Sequence, residues 1–285
     1  MSPLLFAQAV PRKREVPLIA DSAAPPRRRP MLFSARENAN TEDGERVMVD
    51  LEVNDGLAVI TVDRPHARNA ISLETMDQLE KALDGADGAR ALVITGAGDR
   101  AFVSGGDLKE LSALRTELEA SVMAFRMRTI CDRIAGFPGP TVAALNGHAL
   151  GGGAEFAVSA DIRVAADDIK IGFNQVALEI MPAWGGAERL VALVGYSKAL
   201  LLAGTGTIID AAEAERIGLV QQVIPRASFD SGWRDLARAL ASRPAGEIKR
   251  VMKGATTTEA VAAFARLWVS DEHWAAADKV MKRGK

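Results

Sequence analysis

The sequence is short of the residue types on which many site chemistries depend. It holds one cysteine, one tyrosine and three histidines in 285 residues, and aromatic residues make up only 5%. A single thiol, Cys131, excludes an internal disulfide and suits a reducing cytoplasm. In its helical setting Cys131 reads as a small buried hydrophobe. No cysteine/histidine spacing suits zinc, and no Gly-x-Ser-x-Gly elbow marks a serine nucleophile. His66, His148 and His273 lie in unrelated settings, so no triad is legible. Long hydrophobic runs are missing too: no stretch of about 18 apolar residues reads as a membrane span. Charge of one sign is equally scarce. The net charge of −2 gives no electrostatic case for nucleic acid.

Proline is unevenly spread. Six of the twelve fall in residues 1–30, beside the basic clusters Arg12-Lys13-Arg14 and Arg27-Arg28-Arg29. Without apolar periodicity to offset chain entropy, residues 1–45 are expected to form a poorly ordered extension. The run Leu4–Val10 is too short for a secretory apolar region and precedes the basic cluster instead of following it. A transit peptide, or a true start at Met31 or Met48, would account for the same composition.

From residue 46 onward strands alternate with helices, which argues for an α/β layered fold. Residues 47–53 and 58–63 flank the turn Asn54-Asp-Gly56 as a hairpin. Ser72 is placed to N-cap a helix with Leu73, Met76, Leu79 and Leu83 inward. Residues 91–95 form an apolar run of strand length, and residues 101–103 look extended. A longer helix is expected to turn Val122, Phe125, Ile130 and Ile134 inward. Residues 141–146 read as a strand, 147–153 as a glycine-rich turn, and 162–165, 170–173 and 219–224 as further short strands. No repeat of fixed period is visible. The late helices carry Phe264, Leu267, Trp268, Trp274 and Met281, more large apolar surface than one small domain can bury.

Two glycine turns dominate the candidate chemistry. Ser104-Gly-Gly-Asp107 and Gly151-Gly-Gly153 each join an extended run to a helix start. Helix starts leave N–H groups unpaired and favour negative charge. Brought together, two such turns would form an oxyanion hole from main-chain donors alone. Glu155 follows in the first turn of an apolar helix. It either complements the helix dipole or acts as a general acid/base on whatever occupies the glycine turn. The competing dinucleotide reading of Gly96-Ala-Gly98 is weak: the motif should run into a helix, and no acidic residue ends a second strand about twenty residues later.

The order of these motifs resembles the crotonase (enoyl-CoA hydratase/isomerase) family. Asp63-Arg-Pro-His-Ala-Arg-Asn-Ala70 is similar to its Asn-Arg-Pro-x-x-x-Asn-Ala segment. Residues 101–110 and 146–155 resemble its two oxyanion segments, and Pro182–Leu190 and Ala211–Val220 its later signatures. The resemblance implies a spiral of ββα units over residues 46–235 and a C-terminal helical region, 236–285, that joins subunits as a homotrimer or homohexamer. It places the two N–H donors at Gly106 and Gly152. It assigns the coenzyme A portion of the substrate to His66, Ala67, Gly106, Asp107, Leu108 and Lys109, with no separate cofactor and no metal. Glu155 falls on the first of two catalytic glutamates.

The second glutamate's position holds Gln175, and the usual proline before it is Asn174. An amide orients water but neither takes nor gives a proton at neutral pH. The resemblance therefore implies an enolate-forming acyl-CoA enzyme, with hydration or double-bond isomerisation of an enoyl-CoA first. Decarboxylation of a malonyl-type thioester needs no base to begin and is the nearest alternative. A binding subunit without chemistry is the third. Glu179 could stand in for the missing carboxylate if its loop were shifted, and otherwise reads as a surface charge.

Overall fold

The computed structural model describes residues 47–283, so the expectation for residues 1–45 lies outside the described residues. The chain begins with an antiparallel hairpin, β1 (Val49–Asn54) and β2 (Leu57–Val62). Asp55 and Gly56 both have positive φ, 53° and 81°, as a two-residue turn matched to strand twist requires. Helix α1 (Leu73–Gly85) follows, and the Ser72 hydroxyl accepts from the Thr75 N–H at 3.1 Å. Next come β3 (Ala91–Gly96), β4 (Ala101–Val103), α2 (Leu108–Leu111) and α3 (Glu117–Ala135), the last opened by a reciprocal Thr116–Glu119 capping box.

The pattern then repeats in shorter form: β5 (Thr141–Leu145), β6 (His148–Leu150), α4 (Gly152–Ala157), then β7 (Ile162–Ala166) and β8 (Lys170–Gly172). A 3₁₀ turn at Asn174–Leu178 leads into α5 (Gly186–Val194) and α6 (Tyr196–Thr205). The strand β9 (Ile208–Asp210), α7 (Ala211–Arg216) and β10 (Gln222–Ile224) complete the sheets. Four helices end the chain: α8 (Phe229–Ala241), α9 (Ala245–Met252), α10 (Thr257–Trp268) and α11 (Asp271–Arg283).

Two sheets result, ordered β1-β2-β3-β5-β7-β10 and β4-β6-β8-β9. The pairs β3/β4, β5/β6 and β7/β8 each give their first strand to the larger sheet and their second to the smaller. Each turn of the chain thus lays one new strand on each sheet, parallel to its predecessor. This is a ββα spiral, the expected fold class. Its lack of sequence periodicity has a plain cause: residues 104–140 separate β4 from β5, whereas residues 151–161 suffice between β6 and β7.

Several local expectations are corrected. Val122 and Phe125 are exposed, Phe125 at 72%, and the buried stripe of α3 is Met127, Ile130, Cys131 and Ile134. Only the C-terminal part of α3 is buried, so an apolar period continuous along the helix overstated its inward face. Arg126 pairs there with Asp77 and Glu80, and Arg133 with Asp84, clamping α3 to α1. Leu73 is likewise exposed. The stretch 147–153 contains a three-residue strand, β6, and the strand expected at 219–224 begins only at Gln222 because Leu219–Gln221 is a bend. Burial raises the Cys131 thiol to about 12, so it is an inert core group.

Helix α9 is anchored to the core by charge. Lys249 of α9 sits 2.7 Å from the Asp161 carboxylate and donates to the Gly139 carbonyl at 2.9 Å. Asp161 also accepts from the N–H and hydroxyl of Thr141 at the start of β5. Arg163, fully buried, donates to the carbonyls of Leu219 and Ala160 and to Gln221, and desolvation, opposed by the nearby Asp161 charge, lowers its pKa to about 10.

At α4 the helix and β4 touch through backbone. A Cβ added to Gly153 would lie 1.7 Å from the Val103 carbonyl oxygen, a clash that no rotamer change relieves. Gly153→Ala should therefore destabilise at the upper end of the roughly 1–3 kcal/mol typical of overpacking. A lowered urea midpoint with unchanged slope is the expected result.

Candidate active site

The segment after β2 is organised by Arg64 and Asn69, both buried. Asn69 Oδ1 accepts from the Arg64 N–H at 2.9 Å, and its Nδ2 donates to the carbonyls of Ala97 and Ala101. Arg68 and Asn69 both have positive φ, a conformation that asparagine tolerates better than most residues. The Arg64 guanidinium reaches across to the first glycine turn and pairs with Asp107 at 2.9 Å. Asp107 in turn N-caps α2. This pairing ties the segment carrying His66 and Ala67 to the one carrying Asp107, Leu108 and Lys109. His66, Leu108 and Lys109 are exposed, and Ala67 and Asp107 half-buried.

Ile71 donates to the Gly105 carbonyl and accepts from the Asp107 N–H, each at 2.8 Å. These two bonds flank Gly106, so the Gly106 N–H points away from Ile71. Gly152 is the first residue of α4, where an N–H has no intrahelical partner. Because β6 pairs with β4 in parallel, with Val103 opposite Ala149, the two glycine turns leave their strands side by side. A Cβ added to Gly105 would lie 3.3 Å from the Gly152 nitrogen.

One helical turn below lies Glu155, 2% exposed and the only acidic residue among the buried charged groups described. Its carboxylate has no cationic partner among the described residues and is held by four donors. Oε1 accepts from Gln175 Nε2 at 2.8 Å and the Ala183 N–H at 3.3 Å. Oε2 accepts from the N–H groups of Trp184 at 2.7 Å and Gly186 at 3.0 Å. Desolvation raises its pKa above the usual glutamate value, opposed by those hydrogen bonds. Gly186 is glycine for a steric reason: a Cβ there would fall 2.3 Å from Glu155 Cγ.

Gln175, 6% exposed, sits in the 3₁₀ turn after β8. A carboxylate only accepts, so the amide must turn Nε2 towards Glu155. That leaves Gln175 Oε1 buried without a partner. Glu179 is exposed at a positive φ of 56° and does not replace the missing carboxylate. Trp184 was not among the candidate residues, although it lies within the Pro182–Leu190 signature. Its ring occupies the space beside both Gly152 and Gly106.

Comparison with known proteins bears on the family and the fold. Residues 52–267 match the family model described as enoyl-CoA hydratase/isomerase. A short-chain-enoyl-CoA hydratase of Clostridium acetobutylicum is 34% identical over 204 residues, 70% of this chain and 78% of that protein. A crotonyl-CoA hydratase of Syntrophomonas wolfei is 39% identical over 177 residues, 61% of this chain and 68% of its own. The crystal structure of an enoyl-CoA hydratase from Bacillus anthracis superposes with a TM-score of 0.76 at 26% identity, covering 83% of this chain and 97% of that one. With the motifs in order, the spiral in place and most of its length matched, the chain belongs to the enoyl-CoA hydratase/isomerase family.

Proposed function

We propose that this protein acts on the carbon–carbon double bond of an enoyl-CoA, by hydration or isomerisation, with Glu155 as its single proton-handling group. The observation that carries this reading is the juxtaposition of two glycine turns with one buried, raised-pKa carboxylate. The N–H groups of Gly106 and Gly152 receive the thioester oxygen as it gains charge, a role that preorganised main-chain donors fill well. His66, Ala67 and the Asp107–Lys109 segment hold the coenzyme A portion at the outer rim. Coenzyme A belongs to the substrate, and the chemistry described requires no further cofactor.

In hydration, water oxygen bonds to the β carbon while Glu155 takes one of its protons and the double-bond electrons move onto the thioester oxygen. The enolate then collapses, and Glu155 returns the proton to the α carbon. In isomerisation the same carboxylate removes a proton from one carbon and returns it to another. Gln175 carries no proton in either case. With Nε2 committed to Glu155, its free atom is an acceptor, which suits a water or hydroxyl. The same acceptor would face a substrate carboxylate unfavourably, which places malonyl-type decarboxylation second. Its support is the lack of a second buried carboxylate among the described residues.

Mass spectrometry of enoyl-, hydroxyacyl- and malonyl-type CoA thioesters incubated with the purified protein tests this directly. Gain of one water, or a shifted double bond at constant mass, is expected, and loss of carbon dioxide alone would overturn the ranking. Glu155→Gln should lower turnover by about 10²–10⁴-fold while acyl-CoA affinity changes little. An unchanged rate would remove Glu155 from the mechanism.

The raised pKa of Glu155 sets two pH dependences. As a base it must be ionised, so kcat/KM should fall on the acid side at a pH above the ordinary glutamate range. Stability runs the other way. The native state holds the Glu155 proton more tightly than the unfolded chain, so that contribution is complete below the unfolded pKa and is lost as pH rises through the folded one. Urea midpoints of the wild type relative to Glu155→Gln should accordingly decline across that window. A difference independent of pH would contradict the assignment.

The late helices leave Phe264, Trp268 and Trp274 exposed as a cluster, with the Trp268 ring 5.6 Å from Phe264 and 5.7 Å from Trp274. Other copies of the chain would cover this surface in a trimer or hexamer. Light scattering coupled to size exclusion should return three or six times the chain mass. A monomer at micromolar concentration would refute it.

A further inference from the structure

One side chain crowds the space beside the two glycine turns. A Cβ added to Gly152 would meet Cζ3, Cη2 and Cε3 of Trp184 at 2.3, 2.5 and 2.9 Å, and one added to Gly106 would meet Cζ2 at 3.9 Å. The six-membered half of the indole therefore packs directly on Gly152 and reaches ordinary contact distance of where a Gly106 side chain would begin. Leu111 closes the flank, its Cδ1 placed 2.8 Å from a Cβ added to Gly106. Trp184 is only 6% exposed.

The ring cannot withdraw with its backbone. The Trp184 N–H donates to Glu155 Oε2, and its carbonyl accepts from Arg189 Nη1 at 3.1 Å, while Arg189 also pairs with Asp132 on α3. Moving that stretch of chain would strip a buried carboxylate of a donor, which is costly. The ring's position is thus set by the same contacts that hold Glu155.

From this we infer that Trp184 is the specificity-determining wall of the acyl site, restricting the enzyme to thioesters with short, flat acyl groups. The inference rests on the reading of the glycine turns as the thioester site. Carbons beyond the thioester carbonyl meet the indole at once. A conjugated enoyl group of a few carbons is planar and can lie along the ring face, whereas a long alkyl chain has to displace it. Gly152 is small in part because a side chain there would push the ring aside, whereas one at Gly106 would first meet Leu111.

The test compares wild type, Trp184→Phe and Trp184→Ala. Calorimetry gives affinities for butyryl-, octanoyl- and dodecanoyl-CoA, and turnover is followed with butenoyl- and octenoyl-CoA. In Trp184→Ala the octanoyl-to-butyryl affinity ratio should rise about tenfold or more, with a smaller rise in the same direction for Trp184→Phe. A ratio within about twofold of wild type in folded Trp184→Ala would show a packing residue only and overturn the inference. Should Trp184→Ala fail to fold, Trp184→Phe decides by the same criterion, with no rise as the overturning result. If the wild type binds the thioesters with the expected length preference but converts no enoyl-CoA, the catalytic reading fails and the wall stands. If it binds none of them, both fall.

Discussion

A carboxylate buried without a cation must be held by dipoles, or it takes up a proton and loses its charge. Glu155 is in that position, and four donors from a stretch of chain twenty to thirty residues further on meet it. Much of the local architecture follows from that requirement. The segment after β8 has to wrap back over α4 so that Gln175, Ala183, Trp184 and Gly186 can all reach one carboxylate. Glycine at 186 lets the backbone come close enough, and positive φ at Gly185 turns the chain to do so. Trp184 is carried in by its own N–H, which is why a large ring stands beside the glycine turns.

The cage also bears on chemistry. A carboxylate with four donors is positioned closely but has few lone-pair directions left for substrate. Burial pulls its pKa up while the donors pull it down, and the balance leaves it above the usual glutamate value. Gln175 belongs to this balance without carrying a proton itself.

Much of this was legible in the sequence, for reasons that differ by element. The hairpin, Ser72 as a cap and the two glycine turns were readable because local chemistry dictates them: positive φ at Asp55-Gly56, a hydroxyl at an N-terminus, glycine before a helix. Ala101–Val103 was legible as extended, which correctly argued against the dinucleotide reading. The inward face of α3 was not, because burial of Val122 and Phe125 depends on what lies beyond the helix rather than on period. Strands β6 and β9, three residues each, carry no alternation long enough to see. The partner of Glu155 was the least legible of all. Nothing local to Trp184 or Gly186 announces that their N–H groups point at a glutamate some thirty residues earlier, and only the fold brings them there.

The spiral has a consequence for how much the chain can vary. Gly106 and Gly152 are neighbours because β4 and β6 pair in parallel, and the path between them plays no part in their spacing. That path runs out through α2 and α3 and back, over a junction at residues 112–116 that is exposed apart from the half-buried Leu114. Extra residues there would lengthen an excursion into solvent and leave the two turns where they are. A residue lost between β4 and Gly106 would instead shorten the link that sets the first turn beside the second and carry Gly106 out of place. Tolerance of insertion and deletion along this chain is therefore set by which sheet a residue serves, not by its distance in sequence from the site.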